Sequence, residues 1–342
     1  MSELRKDPVS GRWVIIASER SRRPNDFRRD APAATAEPPK DCPFCEHQES
    51  KTPPEIFAVR KRNSRPDGPG WRVRVVPNMF PAMERNVKSP AGEKDGLFIL
   101  KDGHGSHEVV IETPAHNREM ADLPVDHIAD ILRAYRERFR SLEDEFPRHS
   151  IQVFKNKGRE AGASLAHPHS QILAVPTAPL RVMEEVQGSR RLFRSGGQCI
   201  FCLMIRKEGE AVERLVTENS HFRAIAPFAS RFPFETAVYP LRHSAFFSQI
   251  DDDEIPALAG ALKLILGKLQ SVLGDPSYNL VIHTAPNPMR KCAAGGVVDR
   301  SYHWHVEILP FGSRAAGFEW GTGLIINPVP PEQAAEVLRA DL

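Results

Sequence analysis

His167-Pro168-His169-Ser170-Gln171 sets two imidazoles and an amide at every second position. An extended backbone turns all three to one face, and the proline pushes His167 itself toward extended geometry. A small-residue loop precedes them, Asn156-Lys157-Gly158 through Gly162 to Ser164. An apolar run, Ile172-Leu173-Ala174-Val175, follows. A neutral imidazole attacks phosphorus well and also leaves it well, so a histidine can carry a nucleotidyl group between two phosphates. Such transfers run on positioning and charge stabilisation. We read His169 as the nucleophile and His167 as a metal ligand. Gln171 is the amide that donates to a phosphoryl oxygen without acting as a base toward water. Glycines in the loop, Gly162 among them, let backbone approach a phosphate, and Asn156 and Ser164 bring amide and hydroxyl donors.

Four of the five cysteines form two CxxC pairs, Cys42/Cys45 and Cys199/Cys202. Two thiolates in a tight turn reach one ion, and zinc takes four tetrahedral Cys/His ligands. Each pair is followed by a lone histidine and then by an HxH, in the same order twice. We expect one structural zinc held by Cys42, Cys45, His116 and His167. A second is expected on Cys199, Cys202, His243 and His303, with His221 and His305 as competing fourth ligands. His47 and His104 read as solvated loop histidines, and Cys292 as an ordinary thiol.

The elements that must position these groups also repeat. Trp13-Val14-Ile15-Ile16-Ala17 reads as a strand entered from a turn at Asp7-Pro8. The basic loop Arg20 to Pro24 and an Ala/Pro-rich connection over 31–40 lead to the first CxxC. Trp71 to Val76 is a strand feeding the loop Pro77-Asn78-Met79-Phe80, and His107 to His116 is a β-branched strand ending at a proline and a histidine. Ile128, Ile131, Leu132, Tyr135, Phe139 and Leu142 recur at helical spacing, and Ser150 to Phe154 is a strand into the loop before His167. In the second half, Glu235 stands before His243 as Glu108 stands before His116. A helix then begins near Asp251 to Glu254, where acidic residues suit its positive end. A strand over Tyr278 to His283 follows, and His303-Trp304-His305-Val306-Glu307 answers His167 to Gln171. Glu307 replaces Gln171, and a carboxylate there would repel a phosphate, so the chemistry is assigned to the first copy.

Length and composition bound the rest. The 342 residues are 41% hydrophobic and 26% charged, with a formal net charge of +2. That is the balance of a globular protein, without the basic stripe of a nucleic-acid binder. No apolar run approaches a membrane span, and the charged start has no apolar leader core, so a cytoplasmic enzyme is expected. A zinc-stabilised binding protein without catalysis is the alternative of another class.

The Asp7 to Trp13 opening, Arg20 and Arg23-Pro24, the Asn78/Phe80 loop, both CxxC pairs and the Asn156-Lys157-Gly158 to His167-Pro168-His169-Ser170-Gln171 segment resemble the galactose-1-phosphate uridylyltransferase family. That family is a duplicated branch of the histidine triad superfamily. The resemblance implies an α+β fold of two tandem histidine-triad-like repeats, 1–177 and 178–342, each an antiparallel sheet with packed helices. It implies ping-pong transfer of UMP from UDP-glucose to galactose 1-phosphate, in galactose metabolism, through a nucleotidyl-His169. Arg20 and Arg23 would approach the phosphates, Asn78 and Phe80 the uridine, and Asn156, Ser164 and Gln171 the ribose and phosphate. A homodimer with active sites completed across the interface is also implied. The sequence departs from the family near its C-terminus: Ala316 to Gly323 lacks the lysine that holds the hexose. This tail looks more like the ADP-glucose phosphorylase branch, which uses an ADP-sugar and inorganic phosphate with the same histidine. Met79 likewise stands where the family is usually acidic.

Overall fold

Along Ser150–Lys157 and His169–Val175 buried and half-buried residues alternate, because one face of these strands meets helices and the other forms the floor of a site. The computed structural model describes residues 2–22, 41–87, 92–94, 97–290, 296–311 and 316–340. Arg23 and Cys292 lie outside the described residues.

The architecture is α+β. Among the described residues ten strands form one sheet in the order Phe57–Arg60, Trp71–Pro77, Ser106–Ile111, His169–Val175, Ser150–Lys157, Tyr278–His283, His305–Pro310, Thr236–Pro240, Phe222–Ile225, Leu215–Glu218. Every neighbouring pair is antiparallel. The sheet passes from the first half of the chain to the second where Ser150–Lys157 pairs with Tyr278–His283, setting Asn156 opposite Asn279. A smaller sheet joins Ser2–Lys6 and Trp13–Ala17 to Ile325–Asn327.

Helices Val125–Glu145 and Glu254–Leu273 pack on one another and on one face of the large sheet. Val73, Val75, Val110, Ile151, Val153, Ile172 and Ala174 meet Ile128, Ile131, Tyr135, Leu258, Leu262 and Ile265 there. The period-3.6 apolar stripe of the first helix is buried as its spacing predicts. The second helix is long and apolar enough to cross a membrane by composition, but Leu258, Leu262, Ile265 and Leu269 lie in the core. Asp251 accepts from the backbone N–H groups of Asp253 and Glu254 and ends the chain's approach to it. On the opposite face of the sheet, helices Leu180–Gly196 and Ile200–Ala211 cover the second half. Cys42 and Phe44 pack on Val76, Val109 and Ile111 in the first.

One expectation is corrected. His167 is not in the strand with His169 and Gln171; the strand begins at His169, and His303 likewise precedes the strand that starts at His305. Pro168 has no N–H to give to a ladder, although its carbonyl still accepts from Glu112 N. The chain bends at His167, which frees that ring to turn toward the cysteines.

A buried ion pair braces this corner from behind. Lys155 Nζ is 2.7 Å from Glu112 Oε2 and 3.1 Å from Glu119 Oε2, with Lys155 and Glu112 both out of solvent. Burial opposes the charge on Lys155, yet the two carboxylates outweigh it and hold the ammonium above its ordinary value. Glu112 also receives Tyr135 Oη, whose stronger partner is Ser170 Oγ at 2.6 Å. Lys155→Met should cost about 3–5 kcal/mol in urea unfolding at neutral pH, because it strands a buried carboxylate. An unchanged midpoint and slope would remove this account.

Candidate active site and metal centres

His169 heads its strand opposite Ile111, and Gln171 lies opposite Val109 and Phe154. The His169 ring packs at 5.4 Å from the Phe44 ring, edge to face. Its Nδ1–H donates to the carbonyl of His167 at 2.8 Å, so Nε2 is the nitrogen with a free lone pair. Burial holds the ring below its ordinary pKa and so keeps it neutral at pH 7. Nucleophile geometry is therefore present: a neutral imidazole, one nitrogen tied down, the other bare.

The loop before it turns through two glycines at positive φ, Gly158 at 82° and Gly162 at 90°. A Cβ on Gly158 would sit 2.1 Å from Ser277 Oγ, so only glycine lets the loop pack there. Asn156 faces the same side as Phe154 and Gln171 by strand alternation. Its Oδ1 accepts from Asn279 Nδ2 at 2.8 Å, and the same amide donates to Ala161 O at 2.9 Å. Asn279, a residue of the second half, thus orients a donor of the first.

His107 completes the group, diagonally across the strands from Gln171. Its Nε2 lies 2.7 Å from Gln171 Oε1 and 3.1 Å from Asn78 Nδ2, and its Nδ1 accepts from Ala82 N at 3.0 Å. Asn78 Oδ1 accepts from Phe80 N at 2.9 Å. His169, Gln171, Asn78, Asn156 and Gly162 are therefore gathered on one side of the sheet. Ser164 is exposed on the loop, and Phe80 stands 85% exposed. Arg20 is exposed in the short 3-10 turn Ser18–Arg22, which follows a strand of the smaller sheet.

Both sets of expected ligands converge. The ligand atoms of Cys42, Cys45, His116 and His167 lie within 4.8 Å of one another, as do those of Cys199, Cys202, His243 and His303. In the first group His167 Nδ1 is 3.6 Å from each Sγ, and His116 Nδ1 is 3.5 Å from Cys45 Sγ. Tetrahedral bonds of about 2.3 Å to sulfur and about 2.0 Å to nitrogen put such atoms about 3.6 Å apart, so the donors fit an ion of that kind. His167 Nε2–H donates to Thr113 O at 2.7 Å and presents Nδ1 to the cysteines. Burial lowers the His167 pKa to about 4 and pushes the Cys45 thiol up to about 11, a pocket in which thiolate needs a cation beside it.

In the second group Cys202 Sγ is 3.3 Å from His243 Nδ1 and 3.6 Å from His303 Nδ1. The far nitrogens of the two rings are held by Asp299 O and Pro240 O. His221 instead pairs with Ser220 Oγ. His104 is half-buried, edge-on to Phe146, where a solvated ring was expected.

His305, the counterpart of His169, lies in different surroundings. It is stacked on Tyr239 at 5.1 Å, and its Nε2 faces Glu185 and Glu307 at about 4 Å. Glu307 is held by Arg231 at 2.8 Å, and His283 Nδ1 meets Glu185 Oε1 at 2.9 Å. Glu185, His283, His305 and Glu307 form a third set of converging ligand atoms, self-neutralised in part by Arg231. Sequence reading missed Glu185 and His283 there, since they come from a helix and a strand far apart in the chain.

Residues 1–179 match the family model described as galactose-1-phosphate uridyl transferase, N-terminal domain. The chain belongs to the galactose-1-phosphate uridylyltransferase family. It is 40% identical to an ADP-glucose phosphorylase of Arabidopsis thaliana over 98% of this chain and 92% of that protein. To a galactose-1-phosphate uridylyltransferase of Thermotoga maritima it is 30% identical, over 99% and 98%. A crystal structure of an Arabidopsis thaliana ADP-glucose phosphorylase with bound ADP-glucose superposes with a TM-score of 0.83, at 38% identity, over 99% of both chains. Within this uridylyltransferase family member, His107 and Asn279, which bond Gln171 and Asn156, are unmarked by any motif. Their only sequence mark is a polar residue on a strand.

Proposed function

We propose that this family member moves UMP from UDP-glucose to a hexose 1-phosphate such as galactose 1-phosphate, through a nucleotide carried on His169. The observation that carries the reading is the bare Nε2 of a neutral, buried imidazole whose Nδ1–H is fixed on His167 O. The Nε2 lone pair forms a bond to the α-phosphorus, and the bond from that phosphorus to the bridging oxygen breaks. The leaving group departs as the sugar 1-phosphate with the bridging oxygen. In the return half an oxygen of the acceptor phosphate bonds to phosphorus and the N–P bond breaks. The Nδ1 proton stays on the ring throughout, and the His167 carbonyl steadies the charge that develops. Gln171 and Asn156 supply neutral donors to the phosphoryl oxygens and ribose, Gly162 and Ser164 shape the loop above them, and Asn78 and Phe80 receive the base. Arg20 and Arg23 serve the phosphates.

A second reading, ADP-glucose as donor and inorganic phosphate as acceptor, uses the same steps. Higher identity to the Arabidopsis ADP-glucose phosphorylase than to the Thermotoga uridylyltransferase favours it, as does the lack of a lysine over Ala316 to Gly323. Incubation with UDP-glucose and ADP-glucose separately, followed by intact mass, decides. A gain of UMP supports the first, a gain of AMP the second, and no gain with either removes both.

The two Cys2His2 groups fit structural zinc, two ions per chain, which when bound ties Cys, His and strand end into one rigid corner. Unpaired thiols at Cys42, Cys45, Cys199 and Cys202 suit a reducing, cytoplasmic setting. The halves 1–177 and 178–342 act as two histidine-triad-like units sharing one sheet. A homodimer is supported by the exposed run Leu97, Phe98, Ile99 and Leu100, of which Leu97 is 76% and Ile99 71% exposed.

A further inference from the structure

We infer that His107 is a positioning residue that fixes the amide of Gln171 with its NH2 group toward the phosphate. Ala82 N is a backbone donor, so the His107 nitrogen that accepts from it at 3.0 Å, Nδ1, carries no proton. In a neutral imidazole the proton then sits on Nε2. That N–H, 2.7 Å away, donates to Gln171 Oε1 and settles which end of the amide is oxygen, an assignment otherwise open to a flip. The Gln171 NH2 is left to face the side where His169 opens. Asn78 Nδ2, 3.1 Å from the same protonated nitrogen, finds no acceptor there and is likewise left as a donor. Its own oxygen is already committed to Phe80 N. Without His107 the Gln171 amide can turn its carbonyl oxygen toward the phosphoryl oxygens, where it repels them. His107 touches neither reacting atom; it acts through Gln171.

This inference rests on nucleotidyl transfer by His169. Two substitutions separate the bonds that His107 makes. His107→Asn reaches only as far as Nδ1 and can keep the acceptor for Ala82, but withdraws the donor from Gln171. His107→Gln reaches as far as Nε2 and keeps that donor. In single-turnover labelling with whichever of UDP-glucose or ADP-glucose labels the wild type, His107→Asn should slow nucleotidyl-protein formation by roughly 10–100-fold, part of the loss expected for an oriented donor. His107→Gln should stay within about threefold by keeping it. In a Gln171→Ala background His107→Asn should change the rate no further, the non-additivity of a residue acting through its neighbour. Additive losses, or equal losses in the two variants, overturn the proposal. Nitrogen-15 NMR of the histidine rings in the resting wild type reads the same bond without turnover: Nε2–H with bare Nδ1 is expected at His107, and the Nδ1–H tautomer overturns the proposal. If that tautomer is as expected but neither donor labels the wild type, the failure is that of nucleotidyl transfer.

Discussion

His169→Ala should accept no nucleotide from any donor and lose turnover by about 10⁴-fold or more, the scale of deleting a covalent nucleophile. The fold should survive. The ring gives up one hydrogen bond to His167 O and its contact with Phe44, a loss of about 1–3 kcal/mol. His305→Ala is the matched control. It deletes the histidine at the equivalent place in the second half, which is stacked beneath Tyr239 and hemmed by Glu185 and Glu307. Labelling should persist there even if the melting temperature drops. Burial lowers the pKa of His169, so the attacking neutral form is the one populated on the alkaline side. The labelling rate of the wild type should therefore hold as pH falls to about 6.5, the ordinary imidazole value, and decline only below it. Intact mass and single-turnover quench measure all three. Labelled His169→Ala, or unlabelled but folded His305→Ala, would sink the assignment of the chemistry to the first half.

What the sequence made legible was whatever depends on short spacing. The CxxC turns, the lone histidines and the HxH pairs recur in one order, so both ligand sets could be written down before any geometry. The buried stripe from Ile128 to Leu142 followed from helical period alone. Register is different, because it is a relation between strands distant in the chain. His107 looked like one more residue of a β-branched strand, and only its place diagonal to Gln171 gives it a partner. Asn279 could not be tied to Asn156 until the sheet joined the halves. The bend at His167 went unread for a local reason. Alternation treats Pro168 as one more extended residue, whereas its missing N–H is what lets the ladder start one residue later.

Breaking the two metal centres should separate stability from chemistry. Wild-type protein is expected to carry about two zinc ions per chain by elemental analysis, one for each set of two cysteines and two histidines. Cys45→Ala removes a thiol that lies 3.6 Å from His167 Nδ1 and 3.5 Å from His116 Nδ1. Cys202→Ala removes its counterpart beside His243 and His303. Both should lose one ion and melt lower, since ligand sets of this kind contribute directly to folding. Only the first should slow nucleotidyl transfer strongly, by roughly 100-fold or more, at or beyond the upper end of the loss seen when a group orienting a ligand is removed. The reason is one carbonyl. His167 presents a ring nitrogen to Cys42 and Cys45 and its backbone oxygen to His169 Nδ1–H, so loosening its ring would move the acceptor that fixes the tautomer of the proposed nucleophile. His303 stands in the same relation to His305 at 3.1 Å, but that imidazole faces Glu185 and Glu307, and the proposed transfer does not use it. Equal rate losses in the two variants, measured well below both melting points, would mean that the first centre does not aim His169.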